Sequence, residues 1–161
     1  MAIQWKYLLL VLTVLVFTSC NSGNADETNQ KVDESVYDAK EIVEYGNATT
    51  YLDAYLYVND QPITSGNDFI GIVKLYSIEN TMPDGNISDL TLYLLQEDHI
   101  LWHSEETNDV AEIISENCLE IIFRNGPSDL RFETVNVVLA FTFDGEKVQI
   151  MQKTLYIDSV Q

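Results

Sequence analysis

Basic side chains are scarce in this chain of 161 residues: eight Lys and Arg stand against 26 Asp and Glu, a formal charge of −18. Proteins that grip nucleic acid or anionic lipid headgroups do so through basic patches, so a nucleic-acid partner is excluded and so is adsorption to an anionic bilayer. Cysteine is rarer still, at two residues, too few for a disulfide framework. Only 7 Gly and 3 Pro are present. No glycine-rich phosphate loop occurs, nor a Gly-x-Ser-x-Gly turn of the kind that exposes a nucleophilic serine. Long apolar runs are missing too. The longest, Tyr7 to Phe17, covers 11 residues and includes Thr13, well short of the ~20 that a spanning helix needs.

That short run identifies the start of the chain. Lys6 supplies a positive charge before it, and Phe17-Thr18-Ser19-Cys20 follows, after which the sequence turns abruptly polar. A charged start, a short apolar core and small residues before a cut site form an export signal rather than a membrane span. The four residues resemble a lipobox, the site at which bacterial lipoproteins receive lipid on cysteine. The resemblance implies a signal peptide over 1–19 and covalent diacylglycerol plus N-acyl lipid on Cys20. It also implies an exported protein anchored to a bacterial membrane, the outer membrane by preference, through that lipid alone. Two or more acyl chains anchor stably where one does so only marginally. Without the leader, seven basic residues face 26 acidic ones.

Residues 20–46 are rich in Asn, Asp, Glu, Ser and Thr. They read as a flexible acidic linker that spans about 25–30 Å as a coil. Val36, Ala39 and Val43 share a helical face and Gly46 stands where a stop is wanted, so a short helix over 36–45 is expected. From residue 47 the period becomes two. Leu52, Ala54, Leu56 and Val58 alternate with Tyr51, Asp53, Tyr55 and Tyr57. Further strands are expected at 69–76, 90–95, 99–103, 110–114 and 119–124. The last two, 135–143 and 147–157, flank Asp144-Gly145, a strong hairpin signal.

Seven or eight short antiparallel strands separated by turn clusters point to an all-β domain over 47–161, a single β-sandwich. Trp102, placed on a middle strand before a long closing hairpin, resembles the immunoglobulin-like layout. The stretches around Asn125-Gly126-Pro127, Val135–Val138 and Asp144–Lys147 are similar to small immunoglobulin-like lipoproteins of Bacteroidetes-type bacteria. An up-and-down β-barrel is the alternative architecture.

Candidate sites are few. Tyr51, Tyr55 and Tyr57 fall on the strand face opposite the leucines. Outward-facing aromatic rings offer a large contact area at low entropic cost, which suits a protein or glycan partner. His99 and His103 lie near Glu97, Asp98, Glu105 and Glu106, but on a strand they stand ~13 Å apart, so they are weak metal candidates. Asp84 and Asn86 begin a series of alternate oxygen donors that lacks the glycine and glutamate of a calcium loop, and calcium there is equally weakly supported. Cys118, in a strand-like run, reads as a buried small hydrophobe. These readings describe an anchored interaction module without catalytic activity or cofactor. The alternatives are a barrel-type carrier or inhibitor of small ligands, and an envelope enzyme using His99 or His103 with nearby carboxylates.

Replacing Cys20 with Ala removes the only thiol at the leader boundary. Metabolic labelling with a fatty acid is expected to mark the parent chain and leave Cys20→Ala unlabelled.

Overall fold

The computed structural model describes residues 33–59, 69–105, 107–131 and 133–160, without the side chains of 107–112 and 160. The leader and Cys20 lie outside the described residues, as does most of the turn cluster at 59–68. No described helix is long and apolar enough to cross a membrane.

Period-two alternation becomes ten strands among the described residues: β1 (Ile42–Tyr45), β2 (Ala48–Asn59), β3 (Phe69–Ser77), β4 (Ile87–Gln96), β5 (His99–Ser104), β6 (Thr107–Ser115), β7 (Cys118–Gly126), β8 (Thr134–Phe143), β9 (Glu146–Tyr156) and β10 (Asp158–Val160). Two open sheets result. The larger runs β1-β2-β3-β7-β6 with β10 added beside β2, and the smaller runs β5-β4-β8-β9. If β2 is taken as strand A, the orders become ABED and C′CFG, the immunoglobulin arrangement. The sandwich is therefore as expected. Neither sheet closes into the alternative barrel. Two details differ: the strands among the described residues number ten rather than seven or eight, and β10 pairs in parallel with β2. Phe69, Phe123, Leu56, Leu92, Leu139 and Ile150, all fully buried, fill the space between the sheets.

The turns follow local chemistry. Asp144 and Gly145 adopt φ of 47° and 90°, the left-handed pair that matches hairpin twist. Glu97, at φ 53°, opens the tight turn from β4 to β5. Tyr45 packs edge-on against Phe141 and Phe143 at 5.2 and 4.9 Å. Its buried hydroxyl has no hydrogen bond, and burial pushes its pKa far above the ordinary tyrosine value.

The helix expected over 36–45 is not formed. A 3₁₀ turn occupies Glu34–Asp38 and β1 begins at Ile42. The cap is Asp33, whose carboxylate accepts from the Ser35 N–H at 3.1 Å and from the Ser35 hydroxyl at 2.7 Å. Those bonds, with Lys147 3.4 Å away, hold its pKa below the usual carboxylate value. Gly46 ends no helix; it turns β1 into β2 at φ 56°.

Residues 33–46, assigned to the linker from sequence, are thus part of the folded unit, which begins at Asp33. Packing explains why. Val36 is fully buried and packs with Leu95, Val138 and Met151 on the outer side of the smaller sheet, with Tyr37, Tyr93 and Ile100 around them. Alongside, the Met151 N–H donates to the Lys40 carbonyl at 2.8 Å and Lys153 pairs with Glu41 at 2.9 Å. The segment is a lid over one face of the sandwich.

Val36→Ala should therefore lower unfolding stability by about 1–2 kcal/mol, as for removal of two buried methyl groups. Denaturant unfolding measures this, whereas a linker residue would leave the midpoint unchanged.

Candidate functional site

The other outer face, that of the larger sheet, has no such lid among the described residues. Its side chains are set by the register of β2, β3 and β7, which places them in four cross-strand rows. The first is Tyr51–Tyr76–Cys118 and the second Asp53–Lys74–Glu120. The third is Tyr55–Ile72–Ile122 and the fourth Tyr57–Ile70–Arg124. Alternate residues along a strand are ~6.7 Å apart, so four rows extend about 20 Å. Ile42 of β1 stands beside Tyr51 and continues the first row.

Tyr51 and Tyr55 are 40% and 46% exposed, and Tyr57 is half-buried. The three tyrosines singled out from sequence therefore share one face, as the alternation requires. They form two groups. Tyr51 stacks on Tyr76, with centroids 5.3 Å apart and planes at 15°, while Tyr55 leans on Tyr57 at 5.4 Å. Ile70, Ile72 and Ile122, all half-buried, extend the second group across the sheet. The charged row runs between the groups. Lys74 lies opposite both Asp53 and Glu120 and approaches the latter's carboxylate to 3.4 Å. An ion pair this exposed is worth at most about 1 kcal/mol, so it orients side chains more than it stabilises them.

Tyr76, Ile70, Ile72 and Ile122 were not singled out from sequence. Within their own strands the isoleucines look like ordinary apolar residues. Only the pairing of β3 with β2 and β7 sets them beside the tyrosines. Cys118 closes the first row. It is buried and unpaired by disulfide, and it shares a side-chain hydrogen bond with Tyr76 that raises the tyrosine's pKa. Burial pushes its own thiol up as well.

Trp102 departs from expectation. It lies on β5, the edge strand of the smaller sheet, rather than on a middle strand. It is partly buried, with its ring 5.3 Å from that of Phe69. A register shift at Leu94/Leu95 sends Ile100 to the outer cluster under Val36, while Leu101 and Trp102 pack on the main core.

The metal candidates do not converge. His99 and His103 are exposed on β5, and His103 stacks on Tyr93 at 5.8 Å. The Asn86 N–H donates to Asp144 Oδ1 at 2.9 Å, and the Asp144 N–H returns a bond to the Asn86 carbonyl at 3.1 Å. The Asp84–Asn86 turn is thereby fastened to the β8–β9 hairpin. Among the described residues no group of three or more His, Cys, Asp or Glu side chains is placed to hold a metal ion.

No protein-family model matches the chain, and neither curated proteins nor solved structures show a match to it.

A protonated thiol is a poor nucleophile. In a Cys20→Ser chain, Cys118 is the remaining cysteine. Its labelling by a thiol reagent at neutral pH should be on the order of 100-fold slower in the native protein than in the unfolded one. Timed labelling with and without denaturant checks this.

Proposed function

We propose that this chain is a lipid-anchored interaction module of the bacterial cell envelope, without catalytic activity, and that it binds a protein partner through the tyrosine face of its larger sheet. The lipid is carried by Cys20, and residues up to Val32 tether the domain that begins at Asp33. The reading of the first 20 residues supports the anchor and an outer-membrane location.

The observation that carries the binding proposal is the unequal treatment of the two outer faces. The smaller sheet hides its outward apolar side chains beneath Val36 and its neighbours. The larger sheet leaves Tyr51, Tyr55, Tyr57, Ile70, Ile72 and Ile122 wholly or partly open. Contiguous exposed apolar surface of this kind marks interaction sites. Tyrosine is also among the residues that carry most energy at protein interfaces. An open sheet face with a charged row through its middle suits a broad protein contact, in which Asp53, Lys74 and Glu120 fix orientation.

Tyr55→Ser with Tyr57→Ser should leave the chain folded, with unfolding stability lowered by no more than about 2 kcal/mol, about 1 for each strand position. Capture of the envelope partner from solubilised membranes should fall at least tenfold. Unfolding of the double variant would show the rings to be packing; capture of a glycan in place of a protein would reassign the face.

A further inference from the structure

Four turns meet at one end of the sandwich and enclose an open depression separate from the tyrosine face. They are the β1–β2 turn at Gly46, the β3–β4 loop at Met82–Asp84, the β6–β7 turn at Glu116 and the β8–β9 turn at Asp144. The turns are braced to one another. The Met82 N–H donates to the Glu116 carbonyl at 2.7 Å and the Ser77 N–H to the Asn117 carbonyl at 2.9 Å. On the other side, Asn86 and Asp144 exchange the two bonds already described. Two missing side chains let the turns close on the ring of Phe143. A β-carbon on Gly85 would lie 2.3 Å from that ring, and one on Gly46 would lie 3.0 Å from the Pro83 side chain. The depression is therefore built before any ligand arrives, which spares the ordering cost of binding.

Its chemistry is two-sided. Met82 and Ile113 provide the apolar surface, Ile113 being 70% exposed, while Phe143, 6% exposed, forms only the floor. Asp84, Glu116 and Asp144 provide carboxylates, and no Lys, Arg or His lines the depression. The remainder of the chain adds to the same negative field, at a formal −18. A ligand that fits both surfaces has an aliphatic stem and a cationic head. The guanidinium is the better head, because its planar fork pairs with carboxylates through two parallel bonds and it is more weakly hydrated than an ammonium.

We propose that this end of the sandwich is a second binding site, one that receives an arginine side chain from a basic protein partner. The stem lies on Met82 and Ile113, and the head reaches Asp84 and Glu116. The site depends on neither the tyrosine face nor the lipid anchor.

Methionine methyl groups supply the readout. Met82 lines the depression, and Met151 lies buried beneath Val36 as an internal control. The full chain, labelled with ¹³C at its methionine methyls, is titrated with the blocked tripeptide Gly-Arg-Gly and with its citrulline counterpart, a neutral isostere. The arginine peptide is expected to shift the Met82 signal saturably and leave Met151 unmoved, with the citrulline peptide at least tenfold weaker. Asp84→Asn with Glu116→Gln should weaken arginine binding about tenfold, the Met151 signal reporting that the fold is kept. On the unaltered chain, a tenfold rise in salt should weaken it severalfold, because exposed charges are screened. No saturable shift at Met82, equal binding of the citrulline peptide, or affinity indifferent to salt would each overturn the proposal.

Discussion

Register between β2 and β3 is the constraint on which the rest of the molecule depends. Nine residue pairs, from Thr50–Ser77 to Val58–Phe69, set Leu52, Leu56 and Val58 inward together with Phe69, Val73 and Leu75. A slip of one residue would turn every side chain of β2 over, exposing the leucines and burying the tyrosines beside Asp53. Burying that carboxylate without a partner would be costly. The apolar face and the charge at its back therefore enforce the same alignment, and β7 inherits it through its own pairing with β3. The core and the tyrosine face are two sides of one alignment.

The free sides of β2 and β9 are covered by unrelated devices. β2 is flanked by β1 at one end and by parallel β10 at the other, while between them Gln152 of the opposite sheet accepts a hydrogen bond from the Ala54 N–H. On β9 the Lys40 carbonyl takes the Met151 N–H. An open strand edge invites pairing with other chains, and here side-chain and lid contacts cover the middle of strands that no full neighbour protects. The Ala54–Gln152 bond also ties the two sheets together.

The lid over 33–41 gives the domain its asymmetry. Two outer faces of comparable apolar character are treated oppositely: one receives Val36 and the hydrogen bonds of Lys40, the other receives nothing among the described residues. The chain hides one apolar face beneath its own residues 33–41 and leaves the other open among the described residues, and the proposed partner contact rests on that difference. The depression at the end of the sandwich adds a different kind of surface, with a dense negative field around a small apolar floor. The two surfaces share no residues, and only the tyrosine face carries a lysine among its carboxylates.

Much of this was legible in the sequence, for physical reasons. Alternation along 51–58 is a one-dimensional pattern, because successive strand side chains point to opposite faces; it is enough to place the tyrosines opposite the leucines. Asp144-Gly145 announces its hairpin because few residue pairs accept left-handed backbone at both positions. The scarcity of basic residues needs no structure at all. Tertiary packing decided the remainder. Residues 36–45 have a helical face, but Val36 finds more apolar contact on the sheet below it and β1 finds a ladder on β2, so local propensity was overridden. Trp102 moved from a middle strand to an edge because pairing order is a matter of which strands meet. The joining of Ile70, Ile72 and Ile122 to the tyrosines, and of Met82, Ile113 and Phe143 to Asp84 and Glu116, depends on contacts between residues far apart in the chain. Periodicity records which face of a strand a side chain occupies; only the assembled sheets determine what stands beside it.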